Sequence, residues 1–317
     1  MAAVAARTLA QDRGQRPVLL DHDGGMPDDY LVVMLLLTMQ NVRTLGIVVT
    51  PADCYPQPAV SATRKILDLM HRSDLTVAES TVRALHPFPD AWRKTSFIMD
   101  HFPMLNEASE IRTPLARETG QAYMARLLRE SSEPVTLLVT GPLSTVAAVL
   151  DKEPQIESKI REIVWMGGAL EAKGNVVEPD HDGSAEWNVY WDPPAAARVW
   201  GTRIPIVLCP LDITNTVPVT TAFLQRLARL RRYPLCDLAG QSLAVAYSPD
   251  FYFWDLLTAA YVGRPDLFTV KERETVIVTE GDSQGRTKLQ VGGRKVRVME
   301  NVNPTDFHDY VLKQWSK

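Results

Sequence analysis

The chain has 317 residues, 45% of them hydrophobic, with a net charge of −4 from 34 basic and 38 acidic side chains. That is enough apolar material for one sizeable core, and α/β chains of this length often form a single unit. The charge balance argues against a dedicated nucleic-acid binder, which carries a basic excess, and no segment approaches the roughly 20 apolar residues of a membrane span.

The first 16 residues read as a disordered leader, and 17–317 as one domain. The leader's apolar stretch is broken at Arg7, Asp12 and Arg13, which argues against a signal peptide. Short apolar runs then alternate with helical patterns. VLL (18–20), LGIVV (45–49), VTLLV (135–139), IVWM (163–166) and IPIVLC (204–209) lack strict polar alternation, as buried strands of a parallel sheet do. PDDYLVVMLLLTMQ, PAVSATRKILDLMH, GQAYMARLLRE and PLSTVAAVLD between them read as helices. The alternation predicts a three-layer α/β fold, in which ligands bind at the carboxyl ends of strands. Asp21 and Asp23, Thr140 and Gly141, Met166 to Gly168, and Asp212 all follow such strands. The Pro-rich stretch 80–115 reads as a long functional loop, and RLARLRRY (226–233) as a solvated helix face. KLQVGGRKVRVM (288–299) alternates around Gly292-Gly293, the signature of a C-terminal β-hairpin. Three cysteines, Cys54, Cys209 and Cys236, form no CxxC pair and suit a reducing, cytoplasmic setting.

The segment VLLDHDGGMPDDYLVVMLLL crowds Asp21, Asp23, Asp28 and Asp29 into nine residues. Capping of the following helix accounts for one or two carboxylates after Pro27, but not for those on the strand side. A hard cation, Ca²⁺ or Mg²⁺, is the natural neutraliser for carboxylate oxygens. No HExxH is present, and an EF-hand fails because Val32 stands where its bidentate Glu belongs. The strand followed by DxDG also fits a haloacid-dehalogenase-like, Mg²⁺-dependent phosphatase, although its downstream Lys and acidic pair find no match.

DHDGGMPDD after a first strand resembles the N-terminal fingerprint of nucleoside hydrolases. TPADC (50–54), HPFPDAW (86–92), VTGPLSTVA (139–147), WMGGA (165–169), GNV (174–176), GSAEWNVYWDP (183–193), LDITNTVPV (211–219) and FWDLLTAAY (253–261) agree in order. The tryptophans of HPFPDAW and FWDLLTAAY make the chain most similar to the purine-preferring inosine–adenosine–guanosine branch. The resemblance implies an open, mostly parallel central sheet flanked by helices, a homodimer, and Ca²⁺-dependent hydrolysis of purine ribonucleosides to base and ribose. It implies metal ligation by Asp23, Asp29, Asp255 and the carbonyl of Thr140, with Asp23 also the general base toward water. Asp28, Asn175, Glu186, Asn188 and Asp255, assisted by the backbone near Met166, would hold ribose hydroxyls. Trp92 and Trp254 would sandwich the base, with Asp53 at its polar edge, while Asp21 would stand behind the metal. One departure is visible: four residues, Gly24 to Pro27, separate Asp23 from the Asp pair where the family has three. A nucleoside-binding protein without turnover remains the third reading, beside the phosphatase.

The chemistry suits these residues. Cleaving a C1′–N bond needs an activated water, an environment that tolerates oxocarbenium character and help for the leaving base. A cation and a neighbouring carboxylate can share the first task, and surrounding carboxylates stabilise developing positive charge. Indole stacking favours a protonated purine by about 1–2 kcal/mol when desolvated. Trp165, Trp187 and Trp200 read as core residues.

Overall fold

In the computed structural model, which describes residues 14–317 apart from Tyr247 and Pro249, the apolar runs form strands and the stretches between them helices. Residues 1–13, most of the expected leader, lie outside the described residues. The strands are β1 (Arg16–His22), β2 (Val42–Val49), β3 (Val77–Glu79), β4 (Val135–Val139), β5 (Ile160–Met166), β6 (Ile206–Cys209), β7 (Phe268–Ile277), β8 (Thr287–Leu289) and β9 (Arg294–Val302). The helices are α1 (Asp28–Thr38), α2 (Pro56–Leu69), α3 (Asp90–Arg93), α4 (Thr95–Asp100), α5 (Gly120–Glu130), α6 (Ser144–Lys152), α7 (Trp187–Tyr190), α8 (Pro193–Trp200), α9 (Leu211–Thr214), α10 (Thr221–Arg229), α11 (Pro234–Ala246), α12 (Asp255–Gly263) and α13 (Pro304–Trp315).

Among the described residues the strands make one sheet in the order β3-β2-β1-β4-β5-β6-β9-β7-β8. Every pair from β3 across to β9 is parallel, and only β7 runs against its neighbours. The fold is thus α/β with an open, mostly parallel sheet. Pleating sends alternate strand residues into separate cores. Val18, Leu20, Val49 and Leu138 join the face covered by α1, α2, α12 and α13. Leu19, Val48, Leu137 and Trp165 join the face covered by α5, α6 and α8. α1 is buried from Asp28 to Leu36, which is why its sequence is apolar all round and not amphipathic. The chain leaves β1 for β2 and β3 on one side and returns to β4 on the other. The crevice between the ends of β1 and β4 is therefore the topological switch point, where α/β sheets bind ligands.

Two expectations change. The C-terminal appendage is antiparallel, but the segments flanking Gly292-Gly293 do not pair with each other. β7 lies between them, with Thr275 opposite Leu289 on one side and Arg294 on the other. The alternation in KLQVGGRKVRVM marked true strands; their partner, FTVKERETVI, was hidden by its charged, solvent-facing centre. The 80–115 stretch is also not a plain loop, since α3 and α4 lie within it. Arg229, Arg231 and Arg232 of the basic run are exposed, as expected of a solvated face.

Candidate active site

β1 delivers the first carboxylates. Asp21 Oδ1 accepts a hydrogen bond from Thr50 Oγ (2.7 Å), its Oδ2 has no partner, and burial pushes its carboxyl up to about 8. Asp21 thus stands behind the cleft. Gly24 follows at φ +78°, where a Cβ would come within 2.7 Å of Cys54 Cβ, so the longer 24–27 loop turns where only glycine fits. The turn brings Asp29 back, and its Oδ2 accepts from Gly25 N (2.8 Å) while Oδ1 accepts from Thr140 Oγ (2.5 Å). Burial works upward on Asp29, but His22, with Nδ1 3.9 Å away, and hydrogen bonds from Asp23 and Thr140 bring its carboxyl below the ordinary value. Asp23 is pushed well above it, first by burial, then by the charge of Asp29, to which it donates a hydrogen bond. The crowding at the end of β1 thus drives the two carboxyls in opposite directions, Asp23 up and Asp29 down.

Asp28 caps a helix other than its own. Its Oδ2 accepts from Asp255 N (2.6 Å) and its Oδ1 from Leu256 N (3.3 Å), at the first turn of α12. Burial nevertheless raises it to about 7. Asp255 is raised further, by burial and then by the charges of Asp29, Asp28, Asp23 and Glu186. Asp53 belongs to the same group: Gly25 has no side chain because Asp53 Oδ2 occupies that space, and burial and Asp29 raise its carboxyl too.

The opposite rim comes from β5 and α7. Glu186 is the N-cap of α7 and accepts from Gly168 N (2.9 Å) and from Asn188 N, with burial holding it at about 7. Asn188 Nδ2 donates to the carbonyls of Thr140 (3.0 Å) and Met166 (3.2 Å), locking the ends of β4 and β5 together. Asn188 is helical, so the pair meets through the cap and not through extended alternation. Asn175 Oδ1 accepts from Trp187 N (3.0 Å). Asp212 takes no part in the cleft. Its carboxylate accepts from the amides of Leu170, Glu171 and Ala172, clamping the loop that leads to Asn175.

These segments enclose a cleft of about 470 Å³. Asp23, Asp28, Asp53, Thr140, Met166, Asn175, Glu186, Asn188, Asp255, Trp92 and Trp254 all line it, whereas Asp29 lies fully buried behind its floor. No basic side chain is among the described residues that line it. Trp254 precedes α12 and packs edge-on against Phe251 (4.8 Å between centroids). Trp92, 43% exposed on α3, packs edge-on against Trp187 (5.7 Å), which stacks on Phe88 (5.0 Å). Phe88, Trp187 and Phe251 were not foreseen as cleft residues. Trp187 is buried as core, as expected, and also lines the cleft; its place between Glu186 and Asn188, where α7 begins, is the signal for the second role. Trp165 and Trp200 are core, edge-on at 5.5 Å. Among the described residues no group of three or more His, Cys, Asp or Glu side chains is pre-arranged to hold a metal ion. Asp29 is instead turned onto Thr140 and Gly25.

A cleft lined by carboxylates, amides and flat aromatic side chains suits a ligand that combines a polyol with a ring. Fold and site together define a nucleoside hydrolase. The chain belongs to the inosine-uridine preferring nucleoside hydrolase family, whose model matches residues 18–309, and it is an enzyme acting on N-glycosyl bonds of ribonucleosides. That membership removes the phosphatase reading. It is 30% identical to the pyrimidine-specific ribonucleoside hydrolase RihA of Salmonella paratyphi B, over 94% of this chain and 97% of that protein. Its structure is similar to that of an inosine-uridine preferring nucleoside hydrolase from Bacillus anthracis, with a TM-score of 0.92 and 43% identity over 95% of this chain and 99% of the other. A purine-preferring ribonucleoside hydrolase from Gardnerella vaginalis shares the fold, with a TM-score of 0.77 and 23% identity over 95% and 98% of the two chains. Among the described residues no helix is long and apolar enough to cross a membrane.

Proposed function

We propose that the chain hydrolyses purine ribonucleosides to free base and ribose with a calcium ion held by Asp23, Asp29, Asp255 and the carbonyl of Thr140. What supports the metal is the donor set: buried, all-oxygen carboxylates in which burial and the charge of Asp29 raise Asp23 and Asp255, with Asp23 Oδ2 left unpartnered. Calcium, when bound, supplies the positive charge that keeps these carboxylates ionised and helps orient water. Asp23 takes a proton from the attacking water as its oxygen bonds to C1′ and the C1′–N bond breaks. Glu186, Asn188 and Asn175 hold the ribose, and Asp28 keeps lone pairs for a hydroxyl beside its two amide contacts. The negative field of Asp23, Asp28, Asp255 and Glu186 stabilises the oxocarbenium character of the sugar. The departing base takes up its proton at a ring nitrogen, favoured by the indoles.

The observation that carries the purine reading is the two aromatic clusters that line the cleft, Trp92 with Trp187 and Phe88, and Trp254 with Phe251. A bicyclic base covers more of two flat faces than a monocyclic one. The pyrimidine specificity in the name of the RihA relatives favours the second reading, a pyrimidine riboside hydrolase. A panel of purine and pyrimidine ribosides, scored for free ribose with calcium and with chelator, decides between them. Faster release from inosine than from uridine is the expected result; the reverse overturns the purine reading, and chelator-resistant turnover overturns the metal.

A further inference from the structure

Behind the base-side aromatic wall, three loops meet at one residue of the antiparallel appendage. The β7–β8 loop is folded on itself by Gln284 N to Gly281 O (3.0 Å) and Gly285 N to Val278 O (2.7 Å). Gly285, at φ +85°, lies so close to α7 that a Cβ would stand 2.7 Å from Tyr190 Cα. From this platform Gln284 makes two contacts to histidines on different loops. Its side-chain Oε1 is 3.0 Å from His86 Nε2, and its backbone carbonyl is 2.9 Å from His181 Nε2. Both oxygens can only accept, so both imidazoles donate through Nε2. His181 Nδ1 in turn accepts from Gly183 N (2.9 Å). The two rings grip Tyr190, His86 stacked at 4.2 Å and 12° and His181 edge-on at 4.9 Å. Tyr190 packs edge-on against Trp187 (5.4 Å), which carries Phe88 and Trp92. The same junction is fastened by Asp182 N to Asp282 O (2.8 Å), by Ser283 Oγ to Asp182, and by Leu85 N and His86 N to Trp191 O (3.0 and 3.2 Å). None of Gln284, His86, His181 and Tyr190 lines the cleft.

We propose that Gln284 is a positioning residue for nucleobase binding: it pins the 80–89 and 177–184 loops around Tyr190 and so holds the Phe88–Trp92–Trp187 wall in place before the nucleoside arrives. Trp92 sits on a helix of one turn, joined through Lys94 to the short α4, and a helix of one turn does not fix an indole by itself. The latch supplies that rigidity, and the ordering cost is met during folding instead of on binding. The inference rests on the nucleoside-hydrolase reading of the cleft, and one arm of its test is independent of activity.

The test compares Gln284→Ala, which removes Oε1 alone, with Gln284→Glu, which restores an acceptor on a side chain of the same reach. In the substrate-free protein, hydrogen exchange at the Leu85 and His86 amides is expected to quicken by about tenfold in the Ala variant, the scale of one lost hydrogen bond, and to recover in the Glu variant. With inosine, KM is expected to rise about fivefold or more in the Ala variant while kcat stays within about twofold, since the loss falls on binding and not on the transition state. Unchanged exchange in Gln284→Ala overturns the latch, and equal impairment of both variants shows that the acceptor is not what matters and also overturns it. A fall in kcat at constant KM overturns the positioning role. If the exchange responds as expected and the wild type cleaves no nucleoside, the latch stands and the reading of the cleft falls.

Discussion

Asn188 shows how one side chain serves structure and chemistry at once. Its amide bridges the carbonyls of Thr140 and Met166 from a site only 6% exposed. Asn188→Ala leaves both carbonyls buried and short of a donor, so it is expected to lower stability by about 1–3 kcal/mol as well as to reduce kcat/KM on ribosides. Thermal unfolding beside kinetics checks this, and wild-type values in both would refute it. Asp255→Asn keeps the shape and removes a charge that four neighbouring carboxylates already oppose. Calorimetry is expected to show weakened calcium binding, with turnover falling about 10²–10³-fold, the scale of losing one electrostatic partner of the transition state. Trp254→Ala is expected to depress kcat on inosine by about 5–30-fold, matching a cation–π contribution of ~1–2 kcal/mol. It should cost far less with p-nitrophenyl riboside, whose leaving group departs without a proton. Equal losses on the two substrates would reduce Trp254 to a placing role.

At the scale of elements, the sequence was legible where a pattern had one physical meaning. VTLLV and GQAYMARLLRE became β4 and α5 at the residues expected, because an all-apolar run between turns and an amphipathic run with a Thr cap each admit one solution. β7 was not legible. Lys271 to Arg273 face solvent, and the strand is recruited by pairing with β9, a long-range cause that leaves no local trace. In the cleft, AEWNVYWDP and FWDLL identified the residues, but not how they are held. Asp28 was expected at the ribose, and its contact with the start of α12 depends on a segment 227 residues away. Asp212 was marked as a strand-end polar residue and turned out to be a clamp on the 170–172 amides. Asp212→Ala is therefore expected to cost about 1–3 kcal/mol, from three amides losing a charged acceptor, and to raise KM through the loop that carries Asn175. Unaltered melting and KM would show that water replaces the carboxylate without cost.

The whole molecule also carries a pH-sensitive group outside the cleft. His308 on α13 packs among Phe223, Phe253 and Phe307, and burial, aided by the charge of Arg226 on α10 and opposed by Asp309, lowers it to about 4. The unfolded chain takes up this proton near pH 6.5 and the folded chain only near 4, so the contribution of His308 is full above 6.5 and declines as pH falls between those values. The contribution is on the order of 1–2 kcal/mol once partial solvent screening is allowed for. The raised carboxyls of Asp21, Asp28 and Glu186 act in the opposite sense over this range. The test is therefore the difference in denaturant unfolding between the wild type and His308→Gln from pH 7 to pH 4, expected to move against the wild type as pH falls; a constant difference would show that His308 contributes no acid sensitivity. The cap that Asp28 places on α12 also has a meaning in time. During synthesis at about 5–20 residues per second, Asp28 precedes its partner segment by 227 residues, an interval of roughly ten to fifty seconds. Throughout it the acidic turn exists without the helix it caps and without Asp255. The proposed metal and sugar sites are therefore both completed late, when Asp255 arrives, and a product terminated before it lacks one proposed metal ligand and the helix that Asp28 caps.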